Sequence, residues 1–318
     1  MSILVTGSSG HLGEALMRVL RQAGRAAVGL DVNPGPCTDR VGSVTDRSFV
    51  DECMRVGVHA VLHTAALHKP HVATHPRREF VAANIAGTLN LLEAAIERGV
   101  TAFVLTSTTS AFGRALQPPP GSPAAWITED VASVPKNIYG VSKTAAEDLC
   151  ELFHQTDRLP CLILRTSRFF FEPDDDAAVR AAYDGLNAKV NELLYRRVDL
   201  DDAVSAHLLA LDKAATIGFG RYIMTATTPF TRSDLSELAT DAPAVVERYV
   251  PQYRDVYRRL RWHMFPRIDR VYVNARARED LGWQPRYDFA QAIRILEAGQ
   301  EPRSSLARAI GFKGYSGT

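Results

Sequence analysis

The stretch Thr6-Gly7-Ser8-Ser9-Gly10-His11-Leu12-Gly13 follows a short apolar run and precedes a segment with apolar residues at helical spacing. A glycine loop between a strand and a helix is typical of dinucleotide-binding βαβ units. Gly7 permits a tight turn, Gly10 lets the backbone approach a diphosphate, and Gly13 lets the helix pack against the strand. The N–H groups at the helix start then face the phosphates. We therefore predict that the cofactor is bound by Gly7, Ser9, Gly10, His11, Leu12 and Gly13.

Short apolar runs and longer helical patterns alternate through the first half of the chain. The apolar runs cover residues 26–30, 60–63, 102–106 and 161–164, and helical patterns cover about 77–98 and 137–154. This alternation predicts the α/β class, with a Rossmann doubly wound parallel sheet. We predict an NAD-binding domain over residues 1–166. A smaller C-terminal α/β substrate lobe is predicted over 167–318, and this prediction allows parts of it to join the main sheet. The chain from about Gly311 is expected to fray.

The second predicted strand ends in Asp31, 24 residues after Gly7. A carboxylate at this place accepts hydrogen bonds from the adenosine ribose hydroxyls and repels a 2′-phosphate, so it favours NAD over NADP. The alternative is that Asp31 only caps the turn before Asn33-Pro34.

A tyrosine and a lysine stand four residues apart in Tyr139-Gly140-Val141-Ser142-Lys143. Side chains at this spacing share one face of a helix. The lysine is expected to lower the phenol pKa from its usual value of about 10. The phenolate could then remove a hydroxyl proton while hydride leaves for a nicotinamide. A hydroxyl-rich segment, residues 106–110, ends another predicted strand and is expected at the same edge of the sheet.

Composition excludes several classes of protein. The 318 residues are 46% hydrophobic and 23% charged with a net charge of +1, so we expect no nucleic-acid partner and no attraction to an anionic membrane. No apolar run approaches the roughly 20 residues that span a bilayer, and the N-terminus does not resemble a signal peptide. The four cysteines form no CxxC pair, which favours the cytoplasm and no disulfide or zinc site. We interpret His63, His68, His71 and His75 as polar residues near a loop and predict no metal.

The sequence resembles the extended short-chain dehydrogenases/reductases, the NAD-dependent epimerase/dehydratase group that includes UDP-galactose 4-epimerase. The resemblance covers nearly the whole chain. It includes TGSSGHLG at 6–13, VLHTAAL at 61–67, NIAGTLNLLEAA at 84–95, FVLTSTTSAFG at 103–113, YGVSK at 139–143, RRVDLDDAV at 196–204 and LGWQP at 281–285. It implies that Tyr139 is the catalytic acid/base, that Lys143 is its partner, and that both also contact the cofactor. Thr108 matches the third catalytic position, with Ser107 and Thr109 as the alternatives.

The resemblance also implies further contacts. Ser43 and Val44 correspond to the adenine-contacting position, Ala65 and Ala66 to the wall behind the cofactor, and Asn84 to an Asn typical of the family. The implied substrate contacts are His68, Thr109, Arg168 and Arg197. Arg168 could instead pair with Asp174, Asp175 and Asp176. Relatives commonly dimerise through two helices of each subunit, so a homodimer is implied.

Three chemistries compete within this resemblance. Dehydratases carry Thr-Asp-Glu where this chain has Thr108-Thr109-Ser110, so the acid and base for water elimination are missing. We predict an NAD-dependent epimerase of a sugar, with a nucleotide-linked sugar left open. The alternative is an NAD-dependent dehydrogenase or ketoreductase of a sugar-like alcohol. A non-catalytic NAD-sensing protein is a third reading. The short stretch between Arg165 and Asp199 favours a smaller substrate that is not UDP-linked.

Overall fold

Seven parallel strands form the central sheet, in the order β3-β2-β1-β4-β5-β7-β8. A computed structural model describes residues 1–55, 57–174 and 176–314. The strands are β1 (Ser2–Thr6), β2 (Ala27–Asp31), β3 (Arg40–Val41), β4 (Val58–His63), β5 (Ala102–Thr108), β7 (Cys161–Thr166) and β8 (Phe219–Met224), with β6 (Ala125–Ile127) and β9 (Arg270–Tyr272) pairing separately. The predicted α/β class and the doubly wound parallel sheet are confirmed.

Helices cover both faces of this sheet. One face packs against α1 (His11–Gln22), α8 (Leu200–Ile217), α12 (Ala275–Leu281) and α14 (Ser305–Ile310). The other packs against α2 (Arg47–Met54), α4 (Gly87–Glu97) and α5 (Ile138–Asp157). Successive side chains of a strand point to opposite faces, so Ile3 joins the first layer and Leu4 the second. The strands are therefore buried on both sides, which explains their unbroken apolar runs.

A separate apolar cluster lies mainly in the later chain. It joins residues of α7 (Gly185–Glu192), α10 (Ala242–Tyr249), α11 (Tyr253–Leu260) and α13 (Phe289–Glu297). The short helices α6 (Ala177–Ala182) and α9 (Leu235–Leu238) lie in the same part of the chain. Strand β8 and helix α8 belong to the main sheet and its covering layer. The division at residue 166 stays a prediction.

The helical pattern at 77–98 is not one regular helix. It begins as α3 (Arg77–Phe80), continues as a π-helical turn over Val81–Ala86, and ends as α4. Such a turn shifts the register of the side chains that follow it. Among the described residues, no helix is long and apolar enough to cross a membrane.

Parallel strands end at a common edge, and there β1, β2, β4, β5 and β7 open onto a cleft of about 1700 Å³. The cleft is lined by the glycine loop at one end and by residues of the later chain at the other. Ligands of open α/β sheets bind at this edge.

Candidate active site

The glycine loop is packed too closely to admit side chains. Gly7 has a φ of +74°, and a Cβ on it would lie 2.7 Å from the backbone nitrogen of Ala65. A Cβ on Gly13 would lie 2.0 Å from the carbonyl oxygen of Gly7. The start of α1 is thereby held against the end of β1, with Gly7, Ser9, Gly10, His11, Leu12 and Gly13 all on the cleft. This cradle fits the diphosphate of NAD, because backbone N–H groups line it where a side chain would block access.

The Asp31 carboxylate lies at the cleft with one oxygen turned to each of two neighbouring segments. Its Oδ2 accepts a hydrogen bond from Ser9 N–H at 3.0 Å, and its Oδ1 accepts one from Asn33 N–H at 2.9 Å. Asp31 therefore holds the turn and the glycine loop together. Each carboxylate oxygen has a second lone pair, so acceptance from ribose hydroxyls is compatible with this arrangement.

Most of the other predicted cofactor contacts also reach the cleft. Ser43, Val44, Ala65 and Ala66 line it. The carbonyl of Val44 accepts a hydrogen bond from the Asn90 side chain at 2.9 Å, and Ala65 N–H donates to the Thr6 hydroxyl at 3.2 Å. These bonds fix the backbone at two places on the cleft wall.

Asn84 lies behind the cleft wall rather than in it. Its Oδ1 accepts from Leu67 N–H at 2.8 Å, and its Nδ2 donates to the Leu67 carbonyl at 3.0 Å and to the Ser142 hydroxyl at 2.9 Å. Asn84 is buried in the π-helical turn. The structure does not bring it together with the other predicted cofactor contacts; it joins the loop after β4 to helix α5.

Tyr139, Lys143 and Thr108 come together at the floor of the cleft. Tyr139 and Lys143 lie in the first two turns of α5, and Thr108 ends β5. Burial raises the pKa of Tyr139 to about 12, although the Thr108 hydroxyl acts in the opposite direction. Burial lowers the pKa of Lys143 to about 8. The expected lowering of the phenol pKa by the lysine stays a prediction, since burial is the largest influence on the pKa of Tyr139 in the protein alone and acts in the opposite direction.

The two alternatives to Thr108 have different surroundings. The Ser107 hydroxyl donates to Glu147 Oε1 at 2.5 Å, and that carboxylate also binds Arg165, whose Nη2 lies 2.7 Å from Oε2. Ser107 is thus part of a buried ion-pair network beneath α5. Thr109 lines the cleft beside Thr108, and Ser107 also reaches the cleft at this edge of the sheet. Strand alternation explains the difference between Ser107 and Thr108, since neighbouring residues of β5 point to opposite faces.

His68 packs against the tyrosine. The two rings meet edge to face with their centroids 6.2 Å apart, and His68 lines the cleft. Burial lowers the pKa of His68 to about 3, and nearby His71, Lys143 and His11 act in the same direction. His68 is therefore neutral at ordinary pH. Its backbone N–H donates to His71 Nδ1 at 2.9 Å, which positions the turn that carries it.

At the far end of the cleft, three guanidinium groups surround one buried carboxylate. We call Arg168, Arg196, Arg197 and Glu192 the arginine cluster. Glu192 contacts them at 3.4, 2.7 and 2.7 Å respectively. Burial raises the pKa of Glu192, but Arg197, Arg196 and Arg168 outweigh it and hold the pKa at about 2.

Some of the N–H donors in the arginine cluster already contact groups of the protein. Arg168 Nη1 lies 2.5 Å from Asp174 Oδ2, so the alternative ion pair is present, while Asp175 lies outside the described residues. Arg197 donates to the Phe170 carbonyl at 2.8 Å. All members line the cleft, and Nε of Arg196 has no hydrogen-bond partner within the described part of the chain.

Several residues of the site were not singled out from the sequence. Glu147 follows Lys143 by four residues, and Glu192 precedes Arg196 by four, so helical spacing was an available signal for both. The expectation that the chain frays from about Gly311 stays a prediction; Phe312, Lys313 and Gly314 line the cleft. Residues 315–318 lie outside the described part of the chain. The described residues contain no group of three or more His, Cys, Asp or Glu side chains that could hold a metal ion.

Known proteins place this site in context. Residues 3–223 match the model of the NAD dependent epimerase/dehydratase family. A dTDP-glucose 4,6-dehydratase of Streptomyces antibioticus is 29% identical over 92% of this chain and 90% of its own length. A UDP-glucose 4-epimerase of Rhizobium leguminosarum bv. trifolii is 30% identical, but the match spans 52% of this chain and half of that protein.

Among solved structures, a short-chain dehydrogenase/reductase superfamily protein from Agrobacterium tumefaciens with bound NAD is 26% identical. The match covers 97% of each chain with a TM-score of 0.65. The predictions of the family, of an enzyme and of NAD as cofactor are confirmed. The chain belongs to the NAD-dependent epimerase/dehydratase family.

Proposed function

We propose that this enzyme is an epimerase that inverts a hydroxyl-bearing carbon of a sugar. Tyr139 accepts the hydroxyl proton as the carbon–hydrogen bond gives up hydride and a ketone forms. Return of the proton and of the hydride to the opposite face of the ketone gives the epimer. The observation that carries the proposal is the meeting of Tyr139, Lys143 and Thr108 on the cleft, without a carboxylate at positions 109 and 110.

The side chains divide the work as follows. The Thr108 hydroxyl holds the reacting oxygen beside the Tyr139 phenol, and the Lys143 ammonium favours the phenolate. When bound, NAD supplies the hydride acceptor, and its positively charged ring adds a further influence that lowers the pKa of Tyr139 from about 12. The neutral His68 ring, next to Tyr139, offers a hydrogen bond to a neighbouring substrate hydroxyl.

Dehydration is not proposed, although one relative is named a dehydratase. Elimination of water needs an acid and a base beside the substrate. Thr109 and Ser110 occupy the two positions where the dehydratases that this chain resembles carry Asp and Glu. Neither hydroxyl can do that work near neutral pH.

We further propose that the substrate carries an anionic group that binds the arginine cluster. At this end of the cleft, the positive charges of three arginines and of Lys189 outnumber the negative charges of Glu192 and Asp174. Arginine forks bind phosphate and carboxylate oxygens in pairs. A sugar phosphate and a nucleotide diphosphate sugar share this chemistry, and titration with UDP separates them: tight UDP binding would exclude the smaller substrate.

The cofactor content of the purified protein tests the proposal. After denaturation, released NAD, NADH and NADP are measured by mass spectrometry. An epimerase recycles its cofactor, so we expect nearly one NAD per chain and interconversion of sugar epimers without accumulation of NADH. Accumulation of NADH with a ketone product would instead establish the dehydrogenase alternative. Retained NADP would contradict the role given to Asp31.

We also propose that the enzyme is a cytoplasmic homodimer. The four cysteines are all buried and free. Helix α5 exposes the apolar side chains of Val141 and Leu152, each 48% accessible. Sedimentation at equilibrium would measure the mass in solution, and a monomer at micromolar concentration would contradict the dimer.

A further inference from the structure

We propose that Lys313 is a positioning residue of the diphosphate site. Its ammonium neutralises the Glu14 carboxylate in the first turn of α1, and its backbone N–H holds the Glu172 carboxylate next to His11. With Glu14 neutralised, the start of α1 can accept the anionic diphosphate. The inference concerns the NAD site of this family and does not depend on the epimerase proposal.

Lys313 joins two parts of the chain that are far apart in sequence. Its Nζ forms an ion pair with Glu14 Oε2, and its backbone N–H donates to Glu172 Oε1 at 3.1 Å. Glu14 lies in the first turn of α1, and Glu172 lies after β7. The segment that carries Lys313 therefore crosses the start of α1, and Phe312, Lys313 and Gly314 line the same cleft as Gly10 and His11.

The position of Glu14 creates an electrostatic conflict. A carboxylate in the first turn of a helix is attracted by the positive end of the helix dipole. The same helix end binds a diphosphate through its free N–H groups. Glu14 is 1% exposed, so water screens its charge poorly. Without counter-charges, the Glu14 carboxylate would repel the diphosphate.

Glu172 adds a second negative charge on the same side. It is 6% exposed and lines the cleft, and its Oε1 lies 2.7 Å from His11 Nε2. Burial raises its pKa, but the contact with His11 and the N–H of Lys313 outweigh burial and lower it. Glu172 is therefore ionised at neutral pH.

The counter-charges are few. Arg18 binds the other oxygen of Glu14 at 2.5 Å, and Lys313 binds Oε2. Lys313 contacts both carboxylates, Glu14 through its ammonium and Glu172 through its backbone N–H. Removal of the ammonium takes one positive charge from Glu14 and so adds net negative charge near the diphosphate, whereas we expect the adenosine end near Asp31 to be unaffected.

Variants at Lys313 test the inference by binding of probes to the cofactor-free protein. Lys313→Gln removes the charge, Lys313→Arg keeps it, and Lys213→Gln makes the same change on the exposed surface of α8. Isothermal titration with NAD, ADP-ribose and adenosine measures each dissociation constant at low and at high salt. Adenosine lacks the phosphates, so it reports the integrity of the site without the charge effect.

For Lys313→Gln we expect NAD and ADP-ribose to bind about tenfold more weakly at low salt, with adenosine within about twofold of the parent protein. The difference should shrink at high salt, because ions screen a partly exposed site. Lys313→Arg should restore most of the affinity, and Lys213→Gln should match the parent.

Three results would overturn the inference. NAD could bind Lys313→Gln as tightly as the parent. Adenosine could weaken as much as NAD, which would indicate a general loosening of the fold. Lys313→Arg could bind no better than Lys313→Gln. None of these outcomes depends on which substrate the enzyme turns over.

Discussion

At the glycine-loop end of the cleft, Gly13 lies so close to Gly7 that a single methyl group would meet a carbonyl oxygen. At the other end, Glu192 is buried among three arginines. The first end gains its shape from backbone contacts, and the second from opposed charges. A site shaped by close backbone packing tolerates no added atoms. A buried charge site tolerates small changes of volume but not the loss of one charge.

Tyr139, the proposed acid/base, lies between these two ends and gives the largest expected effect. Tyr139→Phe removes the group that accepts the proton, so turnover should fall by about 10²–10⁴-fold. NAD affinity should stay within about twofold, because the ring still packs on the cleft wall. Steady-state kinetics and NAD titration measure both quantities.

A matched control for the tyrosine is Tyr249→Phe, at a partly exposed residue outside the cleft whose hydroxyl donates to Asp234 Oδ2 at 2.7 Å. It should leave turnover unchanged. If Tyr139→Phe retained full turnover, another group would have to be the acid/base.

At the arginine end of the cleft, the loss of one charge should destabilise the protein. Glu192→Gln leaves three arginines facing an uncharged amide, and breaking a buried ion pair typically lowers the free energy of unfolding by about 3–5 kcal/mol. Denaturant unfolding at neutral pH would measure the loss. A loss below about 1 kcal/mol would show that the cluster is solvated rather than buried.

The same carboxylate predicts a pH dependence of stability. The pKa of Glu192 is held at about 2 in the folded protein, below its value of 4.5 when unperturbed. A depressed folded pKa contributes stability that is fully present above the unfolded value and is lost as pH falls towards the folded one. The parent should therefore lose stability between about pH 4.5 and pH 2 more steeply than Glu192→Gln.

How far the sequence predicted the site also differs between the two ends. The glycine loop, Asp31 and the pair Tyr139 and Lys143 were predictable because their geometry is local. A strand, a turn and a helix place the loop, and helical spacing places the pair. Asn84 was predicted as a cofactor contact, and only the π-helical turn showed that it points behind the wall.

The arginine end depends on tertiary contacts that no local pattern encodes. Arg168 and Asp174 come from the segment after β7, and Glu192 comes from α7. The spacing of Glu192 and Arg196 indicates one helix-like pair, yet it does not predict that Arg168 and Arg197 join the same carboxylate. The contact between Lys313 and Glu14 is longer still in sequence, 299 residues apart.

At the glycine-loop end of the cleft, an added side-chain atom should destabilise the protein. Gly13→Ala places a methyl group 2.0 Å from the Gly7 carbonyl, so the loop must shift. We expect destabilisation of at least about 1–3 kcal/mol and loss of tight NAD binding. Thermal unfolding with and without NAD would measure both.

Gly185→Ala makes the same substitution at the arginine end, where the nearest atom to the added Cβ would be Lys189 Nζ at 3.7 Å. This is ordinary contact, so stability should be unchanged or slightly raised, since alanine favours helix. Equal losses for the two variants would contradict the contrast between a backbone end and a charge end.

The smallest expected effect separates two neighbouring hydroxyls of β5. Thr108→Ala should lower turnover by about 10–100-fold, because the lost hydroxyl positions the reacting oxygen. The same hydroxyl accepts a hydrogen bond from Ser110 N–H at 3.1 Å, so we also expect a loss of about 0.5–2 kcal/mol of stability. Ser107→Ala should act on stability alone. It removes a hydrogen bond to the buried carboxylate of Glu147 and should cost about 1–3 kcal/mol of stability while kcat is kept. The two residues differ by one position and by the face of the strand.

A fall in kcat for Ser107→Ala alone would move the third catalytic role to Ser107. Because Ser107 contacts Glu147, which pairs with Arg165, such a fall would also mean that these buried charges influence the rate of the reaction.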